Sequence, residues 1–224
     1  MNEIITHLGI TLAKRIFITA TNTDIGKTHA TKLLLKTYTK LGYRVLAFKP
    51  IETGVTDQPI DGIELLNLIQ ELNPEYKSLH VRDIVPIQFP LPAAPYIANS
   101  AVKIDKNILD IALEKLEKIC DIILIEGAGG LYVPIDKDTM MIDLISYFKA
   151  KALLITHCKL GCINDTLLSI KALKSEKIEF EWALNCQEKD SDFQTVSKPY
   201  FKDSFEKIYS INSDTEELAK KLIH

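Results

Sequence analysis

Residues 15–28 read Arg-Ile-Phe-Ile-Thr-Ala-Thr-Asn-Thr-Asp-Ile-Gly-Lys-Thr, and this stretch decides the fold. A β-branched and aromatic run, Arg15–Ala20, breaks into a polar loop, and a helical pattern then opens on Gly26-Lys27-Thr28. Strand, loop and helix starting Gly-Lys-Thr is the layout of a phosphate-binding P-loop. The loop N–H groups and the helix N-terminus offer partial positive charge, Lys27 a full one, and the Thr28 hydroxyl a ligand for Mg²⁺. The tripeptide alone is weak, since it arises by chance in a chain of this length with a probability of roughly 10%. Thr21 stands where the usual spacing wants glycine. Its surroundings must carry the reading.

Outward from the loop, strand-like and helical runs alternate. The helix from Gly26 runs to Leu41, with apolar residues at 33, 34, 35, 38 and 41 and Gly42 to stop it. Arg44–Phe48 is a second strand, Asp61–Leu72 a helix closed by Asn73-Pro74, and residues 79–100 a proline-rich ordered loop. Asp105–Ile119 reads as an amphipathic helix with Ile108, Ile111, Ala112, Leu116 and Ile119 as its apolar residues. Asp121–Ile125 is a buried strand. Lys151–Thr156 and Glu181–Asn185 are further strands flanking a helix at Asn164–Lys174. This alternation predicts an α/β fold with a mostly parallel central sheet, helices on both faces, and ligands at the strands' C-terminal ends. Residues 15–224 are read as one domain and residues 1–14 as an N-terminal extension.

Bulk composition narrows the function. The 224 residues are 46% apolar and 25% charged, with a formal net charge of −3, which gives no reason to expect nucleic acid or an anionic membrane as partner. No apolar segment approaches the roughly 20 residues of a membrane span, and the N-terminus lacks a signal-peptide layout. The four cysteines, Cys120, Cys158, Cys162 and Cys186, form no CxxC pair and are expected as reduced thiols of a cytoplasmic protein. The five histidines show no metal-ligand spacing, and Trp182 is expected in the core.

Chemically loaded residues gather just after the strands: Ala20–Thr28, Lys49-Pro-Ile-Glu-Thr-Gly54, Glu126-Gly-Ala-Gly-Gly130, Lys159-Leu-Gly-Cys-Ile-Asn164 and Asn185. Two lysines, carboxylates and glycine-rich backbone along one sheet edge suit a nucleoside triphosphate with a metal. Mg²⁺ prefers oxygen ligands and keeps several waters, so Thr28 and Glu126 with one more carboxylate make a sensible set. Asp61 is the third candidate. Its other reading is a plain N-cap with Glu64 as capping-box partner, and spacing leaves the two readings open.

These motifs resemble the dethiobiotin synthetase family. ATNTDIGKT is similar to that family's G-T-D-T-x-V-G-K-T, and KPIETG to its K-P-x-x-S/T-G. EGAGGLYVPI matches E-G-A-G-G-x-x-V-P, KLGCIN matches K-L-G-x-I-N, and PAAPYIA resembles a P-x-x-P segment. The matches keep the family's order over roughly residues 15–186. The resemblance implies a P-loop homodimer with sites at the subunit interface. It would form dethiobiotin from 7,8-diaminononanoate, CO₂ (or bicarbonate) and ATP with Mg²⁺, through a carbamate and a carbamic-phosphoric anhydride, in biotin biosynthesis.

Carried over by position, Lys27, Lys49 and Thr23 are the catalytic residues. Lys27 bridges the phosphates, Lys49 stabilises the carbamate as it is phosphorylated, and Thr23 lies near the γ-phosphate. Asn22, Asp24, Ile25, Gly26, Thr28 and His29, with Glu126, Gly127, Gly129 and Gly130, line the nucleotide, whose base meets Asn185. Thr28, Asp61 and Glu126 surround Mg²⁺, and the resemblance favours Asp61 as ligand over cap. Thr53 faces the substrate amines, and Gly161, Cys162, Ile163 and Asn164 bind the substrate carboxylate from the neighbouring subunit. Two loop residues depart from the family pattern, Ala20 for glycine and Asn22 for aspartate, and Ala20 disfavours a left-handed backbone. Beyond Asn185 no family pattern is evident, which leaves the preferred base open. The alternative is a partitioning or metal-scaffold P-loop ATPase. Those usually carry a second lysine early in the loop, where this chain has Asn22, Thr23 and Asp24.

Overall fold

In a computed structural model, which describes residues 13–187, 190 and 192–224, six parallel strands form the central sheet in the order β2-β5-β1-β6-β7-β8. These are β1 (Lys14–Ala20), β2 (Val45–Phe48), β5 (Ile122–Gly130), β6 (Lys151–His157), β7 (Phe180–Asn185) and β8 (Tyr209–Ser210). A second, two-stranded parallel sheet joins β3 (Ile51–Thr53) to β4 (Ile87–Phe89) beside the C-terminal end of β2. Most of the 1–14 extension lies outside the described residues, but Lys14 already pairs with Ile122 as the first residue of β1.

The central strands read as continuous apolar runs because both faces are covered. Ile16, Phe17, Ile18, Ile123, Leu124, Ile125, Leu153 and Leu154 have no exposed surface. β1 lies between β5 and β6, with Ile18 opposite Glu126 on one side and Leu153 on the other. Past Ile18 the β1–β5 register shifts, so that Ala20 faces Gly130. Helix α1 (Lys27–Lys40) packs on α2 (Ile60–Leu72) and on the C-terminal helix α10 (Thr215–Ile223), where the Tyr38 hydroxyl donates to the Ala219 carbonyl at 2.8 Å.

Several expectations are corrected. The proline-rich 79–100 segment holds three short elements, α3 (Val81–Ile84), β4 and α4 (Pro95–Ala98), because β3 offers β4 a pairing edge. Helix α5 (Lys106–Glu117) buries Leu109, Leu113 and Leu116, whereas Ile108 and Ile111 are exposed. The helix carries two apolar rows, and the i, i+4, i+7 leucine row is the one turned to the core. The tail after Asn185 adds α8 (Phe193–Val196), α9 (Lys198–Ser204), β8 and α10. There Phe201 and Phe205 pack on Trp182, with ring centroids 5.5 and 4.8 Å away, which puts the tryptophan in the core as expected.

The cysteines also differ from expectation. Cys120 and Cys162 are free and buried, but Cys158 and Cys186 form a disulfide. They follow His157 and Asn185, which are register partners on adjacent strands, so pairing brings together two thiols that are 28 residues apart in the chain. Among the described residues no helix is long and apolar enough to cross a membrane.

Thiol titration of the unfolded, unreduced protein should find two reactive cysteines, not four. Reduction should lower stability by about 3.6 kcal/mol, as for a bridge closing a loop of this size, read as a shift in the urea midpoint.

Candidate active site

The phosphate loop leaves β1 at Ala20, which stays in the strand. The left-handed backbone falls instead on Asp24 (φ 58°) and Gly26 (φ 106°), so alanine at 20 carries no strain. Gly26 caps α1, and a Cβ there would stand 2.1 Å from the Asn185 amide nitrogen. Close approach and positive φ both require glycine.

Where the strands end, one cavity of about 400 Å³ is lined by Thr23, Asp24, Gly26, Lys27, Thr28, Lys49, Glu52, Thr53, Asp61, Glu126, Ala128 and Gly129. The structure thus brings together both lysines, the three candidate metal ligands and Thr53. At its floor Glu126, fully buried, accepts from the Thr28 hydroxyl (2.8 Å), the Thr31 hydroxyl (2.7 Å) and the Lys49 ammonium (2.8 Å). Lys49 also donates to Asp61 at 2.8 Å. Burial disfavours the charge on Lys49, but Glu126 and Asp61 outweigh it and hold the ammonium above its ordinary range. Lys27 donates to the Asn22 carbonyl at 3.2 Å. Burial, opposed by Glu126 and reinforced by Lys49, brings its pKa down to about 8.

The N-cap reading of Asp61 does not hold, because Pro59 occupies that position and Glu64 pairs with Lys32. Two residues of this site carry no sequence motif of their own. Thr31 holds the second Glu126 oxygen, and Glu52, raised in pKa chiefly by burial, accepts from the N–H groups of Asp61 and Gly62. Glu52 was visible only as an acid inside KPIETG.

A neighbouring pocket of about 730 Å³ shares Asp24 and Gly26 with the first and is lined further by His29, Asn185, Cys186, Gln187 and Asn212. Asn185 donates to the Ile25 carbonyl at 2.8 Å, and His29 meets Asn212 at 2.7 Å. Other candidates lie elsewhere. Gly127 packs under Phe17, where a Cβ would come within 2.8 Å of the ring. Asn22 and Gly130 line a separate pocket beside α7 (Cys162–Ser175). Gly161 caps α7, so Gly161, Cys162, Ile163 and Asn164 form that helix's N-terminus, outside the main cavity. The helix begins two residues before its expected start at Asn164.

Among the described residues no cluster of three or more His, Cys, Asp or Glu side chains could hold a metal alone. Two carboxylates and one hydroxyl facing a cavity do suit Mg²⁺, which takes the rest of its shell from water and phosphate oxygens. The Asp61 side chain keeps 44% of its surface exposed for such contact.

A parallel sheet with this loop between β1 and α1 defines a P-loop nucleotide-binding protein. A family model described as an AAA domain matches residues 14–211. Among solved structures, the cell division protein MinD of Aquifex aeolicus aligns with a TM-score of 0.51 at 19% identity, over 93% of this chain and 87% of that one. A plasmid partition protein of Borrelia burgdorferi aligns at 0.55 and 12%, over 95% and 97%. At such identities the likeness shows the fold alone. Sequence relatives are more specific. A protein of Sulfurovum sp. named ATP-dependent dethiobiotin synthetase is 45% identical over 92% of this chain and 99% of its own length. Proteins of the same name from Wolinella succinogenes and Methanocaldococcus jannaschii are 38% identical (94% and 98% covered) and 34% identical (88% and 89%). The chain belongs to the dethiobiotin synthetase family.

Removing one partner of a buried ion pair strands the other. Glu126→Ala should lower stability by about 3–5 kcal/mol in urea unfolding, and adding Lys49→Met should recover at least half of the loss. An Glu126→Ala midpoint equal to wild type would show that the pair does not hold this floor together.

Proposed function

We propose that the chain closes the ureido ring of dethiobiotin from 7,8-diaminononanoate, CO₂ and ATP, releasing ADP and phosphate, in biotin biosynthesis. The observation that carries this reading is the convergence of Lys27, Lys49, Thr28, Asp61 and Glu126 on one cavity at the strand ends, in a chain whose relatives bear that name. The reacting atoms come from the substrates. One amine of the diamine takes up CO₂ as a carbamate and loses a proton. A carbamate oxygen then attacks the γ-phosphorus and displaces ADP. The second amine attacks the carbonyl carbon of the resulting anhydride and loses a proton, and phosphate leaves with the C–O bond electrons.

The protein's task is positioning and charge neutralisation. Loop N–H groups and Lys27 cradle the phosphates, with Thr23 beside the γ-phosphate. Lys49, held charged by its two carboxylates, faces the carbamate oxygens. Thr53 lies toward the amines. Mg²⁺, held by Thr28, Asp61 and Glu126, would neutralise charge on the phosphate oxygens. The base extends into the neighbouring pocket against Asn185 and His29. The α7 N-terminus at Gly161–Asn164 lies outside the main cavity, which fits capture of the substrate carboxylate by the partner subunit of a homodimer. Residues 15–224 act as one domain, in the cytoplasm.

Incubation with 7,8-diaminononanoate, bicarbonate, Mg²⁺ and each nucleoside triphosphate in turn should yield dethiobiotin by mass, most with ATP. Lys27→Ala should cut the rate by about 10²–10³-fold with the fold intact. Near-normal turnover of that variant would remove the lysine's assigned role. Mixing Lys27→Ala with Asn164→Ala chains under subunit exchange should restore activity through hybrid dimers with one intact site. No recovery despite exchange would place each site within one chain.

A further inference from the structure

Helix α2 lacks the usual end piece. Its N-cap is Pro59, which has no side-chain acceptor, so the N–H groups of the first turn need another partner. That partner comes from β3. The Glu52 side chain reaches across, Oε1 accepting from the Asp61 N–H and Oε2 from the Gly62 N–H, each at 3.0 Å. These are the second and third residues of the helix, the donors an N-cap side chain ordinarily takes. A carboxylate suits them doubly, through charge-assisted bonds and through the positive end of the helix dipole. Glu52 is buried, 6% exposed, and lines the same cavity as Lys49 and Asp61. Gly62 lets this end of α2 pack closely, since a Cβ there would lie 2.3 Å from a Val85 methyl.

We propose that Glu52 is a positioning residue for the reaction, a cap supplied from another strand that fixes the backbone of Asp61 and thereby holds the Asp61 carboxylate on Lys49 and over the metal and phosphate position. The proposal rests on the reading of Asp61 given above. Without Glu52, the N–H groups of Asp61 and Gly62 would lose their acceptor on β3. Asp61, whose side chain is 44% exposed, would then swing toward solvent. The Lys49 ammonium would keep Glu126 alone, and the cavity would lose one of its two candidate carboxylate ligands.

Glu52→Gln preserves size but turns one of the two acceptor oxygens into an NH₂ donor, so one of the two N–H groups loses its present partner and faces a donor instead. Wild type, Glu52→Gln, Asp61→Asn and the double variant are compared in two ways. Calorimetric titration of ATP across a range of Mg²⁺ concentrations reports the metal midpoint without turnover, and dethiobiotin formation reports kcat and KM. Glu52→Gln should raise the Mg²⁺ midpoint about tenfold, as loss of an outer partner of a metal ligand does, and the double variant should be no worse than Asp61→Asn alone. The unfolding midpoint of each variant separates this effect from general loosening. Fully additive losses, or a Glu52→Gln protein with a wild-type Mg²⁺ midpoint, overturn the proposal. Should Glu52→Gln fail to fold, Pro59→Asp is added to supply a local cap at the helix end; that double variant should fold with a Mg²⁺ midpoint near wild type, and a folded protein whose midpoint stays raised overturns the proposal. If the wild-type chain forms no dethiobiotin, the reaction assigned above fails. The calorimetric cycle still decides on Glu52.

Discussion

The buried contact between Lys49 and Glu126 is the constraint on which the rest of the site depends. Neither charge could stay in this interior alone, since desolvation would neutralise or expel it. Together they are affordable only because their remaining bonding capacity is used. Glu126 takes hydroxyls from Thr28 and Thr31 on α1, and Lys49 reaches Asp61 on α2. One pair thus ties β2, β5 and the first turns of two helices to a common point. That point is the floor of the cavity at the strand ends. A cation held charged at neutral pH, an acid unable to turn outward and a threonine fixed in orientation all follow from this geometry.

The fold supplies the meeting place for a topological reason. All central strands are parallel, so every strand ends on the same edge, and every connection that leaves a strand begins there. β1 occupies the centre with β5 and β6 on either side, and the phosphate loop therefore emerges between the C-terminal parts of those two strands. The register shift after Ile18 lets the end of β5 run beside the loop, with Gly130 facing Ala20. On the far side the same alignment of strand ends puts Cys158 beside Cys186 and joins them. The small β3–β4 sheet has a different use. It carries Thr53 into the cavity and lets Glu52 brace α2.

Much of this was legible from residues alone. The alternation of apolar strands with helical periods announces a parallel α/β sheet. Lys49, Glu126 and the glycine-rich turns declared themselves by sitting just after such strands. Ala20 raised a question about a left-handed backbone, which the chain answers by placing that conformation on Asp24 and Gly26 instead. Where periodicity misled, it was in α5, whose two apolar rows look alike in one dimension. Only packing turns the leucine row inward and leaves Ile111 71% exposed. The expectation of four reduced thiols failed similarly, because residues 28 apart carry no mark of their adjacency until their strands pair.

The division has a physical cause. Local chemistry, which depends on residue type and short spacing, was determined by the sequence itself: the phosphate loop, the buried strands, the lysines and acids at their ends, and the family these compose. What only the tertiary structure decided are the contacts between groups far apart in the chain. These include Thr31 on Glu126, Asn185 against Gly26, and above all Asp61, whose spacing to Glu64 suggested a cap. Its N–H is in fact held by Glu52 and its carboxylate by Lys49. A hydrogen bond acts over about 3 Å in space and is indifferent to separation along the chain, so its partners become known only when the chain has folded.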